Sequence, residues 1–234
     1  MKIILTLVVA IGLILSTACQ CPFCQSAEVF YQATPLTVEN AFTAGIEGPA
    51  CDRAGNIYAV NFREQQTIGI TTPDGMSEIF VALPNTSIGN GIRFDRKGRM
   101  YVADYTEHNV LRIDPATKAI EVFAHEPMMN QPNDLAISPE GMLYASDPNW
   151  AAKTGQLWRI DSDGIVTRLM ENMGTTNGIE VSPDGKKLYV NETGITYIPK
   201  EIAELKYLEI LDLSQNKLRH LPSDIGKMDR LEQL

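Results

Sequence analysis

The sequence predicts an all-β chain, a β-propeller of which about four blades are encoded, followed by a short segment built on a different repeat. Two observations carry this reading. Four stretches, "EGPACDRAGNIYAVN" from Glu47, "NGIRFDRKGRMYVAD" from Asn90, "NDLAISPEGMLYASD" from Asn133 and "NGIEVSPDGKKLYVN" from Asn177, align at spacings of 43, 43 and 44 residues. From Ile195 the period changes to 23: Ile198 matches Leu221, Pro199 matches Pro222, and Leu208 matches Leu231. Repeats of these lengths are built from stacked supersecondary units.

The N-terminus stands apart from both. Lys2 precedes an apolar run from Ile3 to Leu15, and Ser16, Thr17 and Ala18 follow. That is the order of a secretory signal peptide, expected over residues 1–18, and it implies a secreted or periplasmic protein. Residues 19–35 form a linker holding Cys19, Cys21 and Cys24. Cys19, directly after Ala18, is placed as in a lipid-anchored bacterial protein, although Ser16 stands where Leu is usual. A disulfide in an oxidising compartment and plain cysteines in a flexible terminus are the alternatives. A metal site there lacks a fourth ligand. Cys51 is expected to be a small buried residue.

Residues 36–192 carry the propeller ladder. In each unit a short apolar strand meets a Pro/Asp/Gly turn, and a second strand follows, as in Leu135 to Ser138 and Met142 to Ser146. The turn glycines Gly55, Gly98, Gly141 and Gly185 keep the same period, and Tyr58, Tyr101, Tyr144 and Tyr189 follow in the next strands. Glycine supplies the positive φ of a tight hairpin, and β-branched and aromatic residues fill the strands. Two further strands follow, "HNVLRID" and "AIEVFAH" in the second unit. Four short strands per unit define a propeller blade.

The first column of the ladder carries the chemistry. Glu47, Asn90, Asn133 and Asn177 open the innermost strands, which start near the axis of a propeller. A ring of carboxylate and amide oxygens suits a hard cation. The alternative is that these side chains cap strand-entry turns through hydrogen bonds to the backbone. Asp104 and Asp147, at the ends of second strands, are expected to cap strand ends at the surface. Trp150 and Trp158 are assigned to packing in the third blade, with a ligand pocket as the alternative. His108, His125 and His220 lie in different units without metal or triad spacing and are assigned to the surface.

These motifs resemble the senescence-marker-protein/gluconolactonase family over about residues 36–192. The resemblance implies a six-bladed propeller with calcium-dependent lactonase or esterase activity on a small lactone or ester. It further implies that Glu47, Asn133 and Asn177 ligate Ca²⁺ or another divalent cation, with Asn133 also beside the substrate; Asn90, from its place in the ladder, is expected to line the cavity and bind substrate. The cation would act as a Lewis acid and lower the pKa of water. The family's Asp ligand and base lies on a blade this sequence does not encode, so an impaired enzyme is expected. Pro183-Asp184-Gly185 has similar letters but occupies an outer hairpin turn.

Residues 195–234 resemble leucine-rich repeats, about two and incomplete. "LEILDLSQNKL" places Leu208, Leu211, Leu213, Asn216 and Leu218 on the pattern L-x-x-L-x-L-x-x-N-x-L. Leu211 and Leu213 are expected to point inward, and Ile210, Asp212 and Ser214 to face a protein partner. Pro199 and Pro222 oppose a single helix. The second functional reading is therefore a non-catalytic binding module, and the third an inactive chimeric fragment. A net charge of -9 argues against nucleic acid. No apolar stretch after the signal segment is long enough for a membrane helix.

Overall fold

The structure, a computed structural model, describes residues 34–190, 198, 200–205, 208–212 and 218–231. The signal segment, Cys19, Cys21, Cys24, Leu213 and Asn216 lie outside the described residues. The described residues from Leu36 onward form one compact unit.

Fourteen propeller strands run in chain order. The first blade holds β1 (Ile46–Cys51), β2 (Ile57–Asn61), β3 (Thr67–Thr71) and β4 (Ser77–Ala82). The second holds β5 (Gly89–Phe94), β6 (Met100–Asp104), β7 (Asn109–Ile113) and β8 (Ile120–His125). The third holds β9 (Leu135–Ile137), β10 (Leu143–Asp147), β11 (Gln156–Ile160) and β12 (Val166–Met170). β13 (Ile179–Val181) and β14 (Lys187–Val190) open a fourth. Each of the first three is an antiparallel sheet with strands in sequence order, so every connection is a local hairpin. Gly55, Gly98, Gly141 and Gly185 all have φ between +73° and +89°, the conformation their hairpin turns require.

Innermost strands adjoin in series, β1 against β5, β5 against β9 and β9 against β13. Glycine permits this approach. A Cβ on Gly48 would lie 2.0 Å from the Asn90 carbonyl oxygen, and one on Gly91 would lie 2.8 Å from the Asp134 Cα. Between the blades residues from all four strands supply the core. Ile68, Ile92, Met100 and Leu111 fill one cluster, and Leu135, Leu143, Trp158 and Ile160 fill the next. On the outer side of the first blade the segment before β1 packs against the sheet, with the Phe42 ring close against Gly69, while Ile46, Ile79 and Met76 stay exposed. Cys51, the last residue of the edge strand β1, is exposed and free rather than buried.

The tail completes the fourth blade. β15 (Ile210–Asp212) pairs with β14, giving the order β13-β14-β15, but the pairing is parallel. Its register sets Lys187 against Ile210, Leu188 against Leu211 and Tyr189 against Asp212. Short 3₁₀ turns occupy Lys200–Glu204 and Ser223–Lys227, offset by the repeat period. Their closing bonds repeat as well: Leu205 N donates to Ile202 O and Met228 N to Ile225 O, both at 3.1 Å. Pro222, extended at φ -66° and ψ 143°, starts the second turn and excludes a continuous helix. Ile198, Ile202, Leu205, Leu208, Leu211 and Met228 are buried with Tyr144, Leu157, Leu188 and Val190 in one core. Leu218 packs against that core from its edge. No helix among the described residues is long and apolar enough to cross a membrane.

Candidate functional site

β1 and β5 both break register where they open. The irregularity in β1 falls between Glu47 and Ala50, and that in β5 between Gly89 and Ile92. Such bulges turn a side chain out of the pleat. Glu47 and Asn90, at these breaks, meet Asn133 from the loop before β9 around a cavity of about 320 Å³. Asn61, Tyr105, Phe62 and Trp150 complete its polar and aromatic wall. Trp150, assigned to packing, is therefore a cavity residue and is 43% exposed. Trp158 is the packing tryptophan.

The side chains of Glu47, Asn90 and Asn133 make no hydrogen bond or ion pair among the described residues, so the turn-capping alternative does not hold for them. Three oxygen-bearing side chains share one cavity with their oxygens uncommitted. Asn177 does not line it. Its side chain is exposed, two residues before β13, while its carbonyl accepts a hydrogen bond from Ser146 Oγ. Among the described residues, no three His, Cys, Asp or Glu side chains cluster as a metal site. The donor set is one carboxylate with amides, whose oxygens fit a hard cation.

The backbone around this cavity is held by acids that the motif reading passed over. Asp134 Oδ1 accepts from Leu135 N at 2.9 Å, and Oδ2 from Ile179 N at 3.2 Å on the fourth blade. Arg93 Nη2, from the second blade, lies 3.1 Å from Asp134 Oδ1 and 3.7 Å from Glu180 Oε2. One carboxylate thus joins three blades beside Asn133. Gly91 N donates to Asn133 O at 2.6 Å, and Asp134 N to Ser146 Oγ at 3.0 Å. A signal was present in the sequence. The column after Glu47, Asn90, Asn133 and Asn177 reads Gly48, Gly91, Asp134, Gly178, and the one departure marks the strut.

Asp104 and Asp147 do cap loops, but both are fully buried rather than at the surface. The loops they organise fold over them. Asp104 Oδ2 accepts from Ser87 Oγ at 2.7 Å and Asn109 Nδ2 at 3.0 Å. Asp147 receives Asn130 N at 2.8 Å, Gln131 N at 2.6 Å and Trp158 Nε1 at 2.9 Å, which fixes the loop carrying Asn133. Burial pushes the Asp147 carboxyl above the usual range, against the pull of these donors. Asn61 holds the same ladder position and accepts from Glu64 N at 2.9 Å. Of the histidines, His125 and His220 are exposed and His108 is half-buried, and none lines the cavity.

Fold and cavity define a propeller protein with an oxygen-lined pocket where its innermost strands begin. The chain belongs to the SMP-30/Gluconolactonase/LRE-like family, whose pattern it matches over residues 39–205. Solved structures agree in fold. A gluconolactonase of Xanthomonas campestris is 22% identical with a TM-score of 0.56, over 65% of this chain and 56% of that one. A calcium-binding regucalcin of Agrobacterium tumefaciens is 23% identical with a TM-score of 0.53, over 65% and 52%. Virginiamycin B lyase of Staphylococcus aureus is 19% identical with a TM-score of 0.53, over 64% and 50%. The chain spans about half the length of these proteins. No curated protein matches it.

Proposed function

We propose that the chain is an exported, lactonase-like hydrolase dependent on Ca²⁺ or another divalent cation. Glu47 and Asn133 hold the cation, and Asn90 with Asn133 orients a small lactone or ester; Asn177, which does not line the cavity, lies outside this set. The observation that carries this is the convergence of Glu47, Asn90 and Asn133 on one cavity with no other bonding partner. Family membership supports it, as do the gluconolactonase and calcium-binding neighbours. The cation supplies Lewis acidity toward a carbonyl and lowers the pKa of water. The chain's own residues place the substrate, and Trp150, Tyr105 and Phe62 wall it. With a single carboxylate the affinity falls in the weak class, about 0.1–1 mM, and turnover is slow.

The test is thermal unfolding with and without 10 mM calcium. A Kd of about 1 mM gives about 1.4 kcal/mol of stabilisation, a rise of roughly 3–6 °C in Tm. Glu47→Gln should abolish the rise and any lactone hydrolysis. A Tm indifferent to calcium would overturn the reading.

A second reading rests on the tail, whose 3₁₀ turns and closing bonds repeat at 23 residues. That repetition favours a leucine-rich unit offering β15 and its flanks to a protein partner. Pull-down by a fusion of residues 186–234, lost on removal of residues 208–234, is its test.

A further inference from the structure

The inner strands that start at the oxygen-lined cavity end at a second, larger one. β5 runs from Gly89, beside Asn90, to Phe94. Phe94 lines a cleft of about 540 Å³ built from the hairpin turns of the second, third and fourth blades. A strand residue advances about 3.3 Å, so the two cavities lie roughly 13 Å apart along β5. The Arg93–Asp134–Glu180 ion-pair strut is anchored between them, one residue from Phe94 and one from Asn133.

The chemistry of this cleft differs from that of the first. Phe94 and Ile137, both half-buried, give it an apolar floor, beside the almost fully buried Tyr101 and Val181. Arg96 and Lys97, on the β5–β6 turn, stand at its rim, are exposed, and have no side-chain partner among the described residues. Its other cation, Arg99, is held by Asp95 at 2.6 Å, so that pair is neutral. Glu140 is the opposing acid, which leaves the rim with a net positive charge. Ser138 Oγ accepts from Met142 N at 3.2 Å and keeps its own O–H to donate. Two uncommitted cations concentrated over an apolar floor run against the chain's net charge of -9.

We infer that this cleft is a binding site for a small amphipathic anion, an aromatic or aliphatic body carrying one carboxylate, sulfonate or phosphate. The apolar body lies on the Phe94 and Ile137 floor, and the anionic head meets Arg96, Lys97 and the Ser138 hydroxyl. A pocket of this volume with a few convergent polar groups is of ligand size, and an apolar body supplies affinity that a bare ion lacks. The site does not depend on the cation reading of the other cavity.

The experiment is a fluorescence titration of the full chain with 8-anilinonaphthalene-1-sulfonate, competed by benzoate. Expected is one saturable site that weakens with added salt. Arg96→Ala/Lys97→Ala should raise its Kd about tenfold, and Glu47→Gln should leave it unchanged. The double variant removes exposed, unpartnered side chains, so its unfolding curve should overlay that of the parent. Absence of a saturable site, or a site indifferent to the double variant, overturns the inference. A site weakened equally by Glu47→Gln overturns it too, because the probe would then sit in the other cavity.

Discussion

Asp134→Asn is the sharpest test of how the blades are joined. The substitution keeps size and one acceptor but removes the charge that faces Arg93 at 3.1 Å. At an effective dielectric of 20 that pair has a gross attraction of about 5 kcal/mol. Both side chains are only about one-fifth exposed, so desolvation already offsets much of it. The amide also turns N–H toward the backbone donors of Leu135 or Ile179, leaving one without an acceptor, at about 1–3 kcal/mol. Together these predict a loss of about 2–3 kcal/mol. Urea unfolding of the parent, Asp134→Asn, Arg93→Ala and the double variant measures it. The double variant should cost less than the sum of the singles by about 1–2 kcal/mol. A single-variant loss under about 0.5 kcal/mol, or strict additivity, would refute the strut.

Three further outcomes follow from the structure. Leu211→Ala, fully buried between tail and fourth blade, should cost about 3 kcal/mol in the same assay, whereas the exposed Lys227→Ala should cost nothing measurable. Asp147→Asn should cost about 2 kcal/mol, because one amide oxygen cannot serve Asn130 N, Gln131 N and Trp158 Nε1 together; near-UV circular dichroism of Trp158 should change with it. At the acid end, burial works to raise Asp95, but Arg99 N–H, its guanidinium and Lys97 N–H outweigh it and hold the carboxyl below the usual range. Asp52 is held low in the same way by Asn56 and Ala54. Their contribution is complete above an unfolded-state pKa of about 4 and is lost as pH falls through the lowered values, so Asp95→Asn should flatten the acid limb of a stability–pH curve.

Much of the fold was legible because blade geometry is local. Gly55 and Gly98 announce their hairpins through backbone freedom alone, and the ladder of Tyr58, Tyr101 and Tyr144 marks the second strands. Of the candidate ring, Glu47, Asn90 and Asn133 meet as the ladder implied, because each opens an inner strand at one end of the blades. Asn177 misses the cavity although it holds the same ladder position. Its blade is completed by the parallel β15 instead of antiparallel third and fourth strands. The strut was not legible from periodicity, since Arg93 and Asp134 are 41 residues apart and meet only when blades pack. Asp104 and Asp147 were misjudged for a related reason: a carboxylate that caps a loop is at the surface only if the loop does not fold over it. Cys51 was misjudged because burial in a strand depends on which flank has a neighbour.

The register of β14 with β15 bears on how the tail is joined to the fourth blade. Leu188 and Leu211 pair across it, and their offset equals the period of the tail repeat. β14 is at once the second strand of a blade and the parallel partner of β15. The changeover is a shared strand and not a tether, with backbone hydrogen bonds and a common core crossing it. A tether would let two bodies swing independently. A shared rung couples them, so force or proteolysis applied to the tail is felt in the fourth blade. Whatever is built onto β15 rests on a foundation that the propeller itself provides.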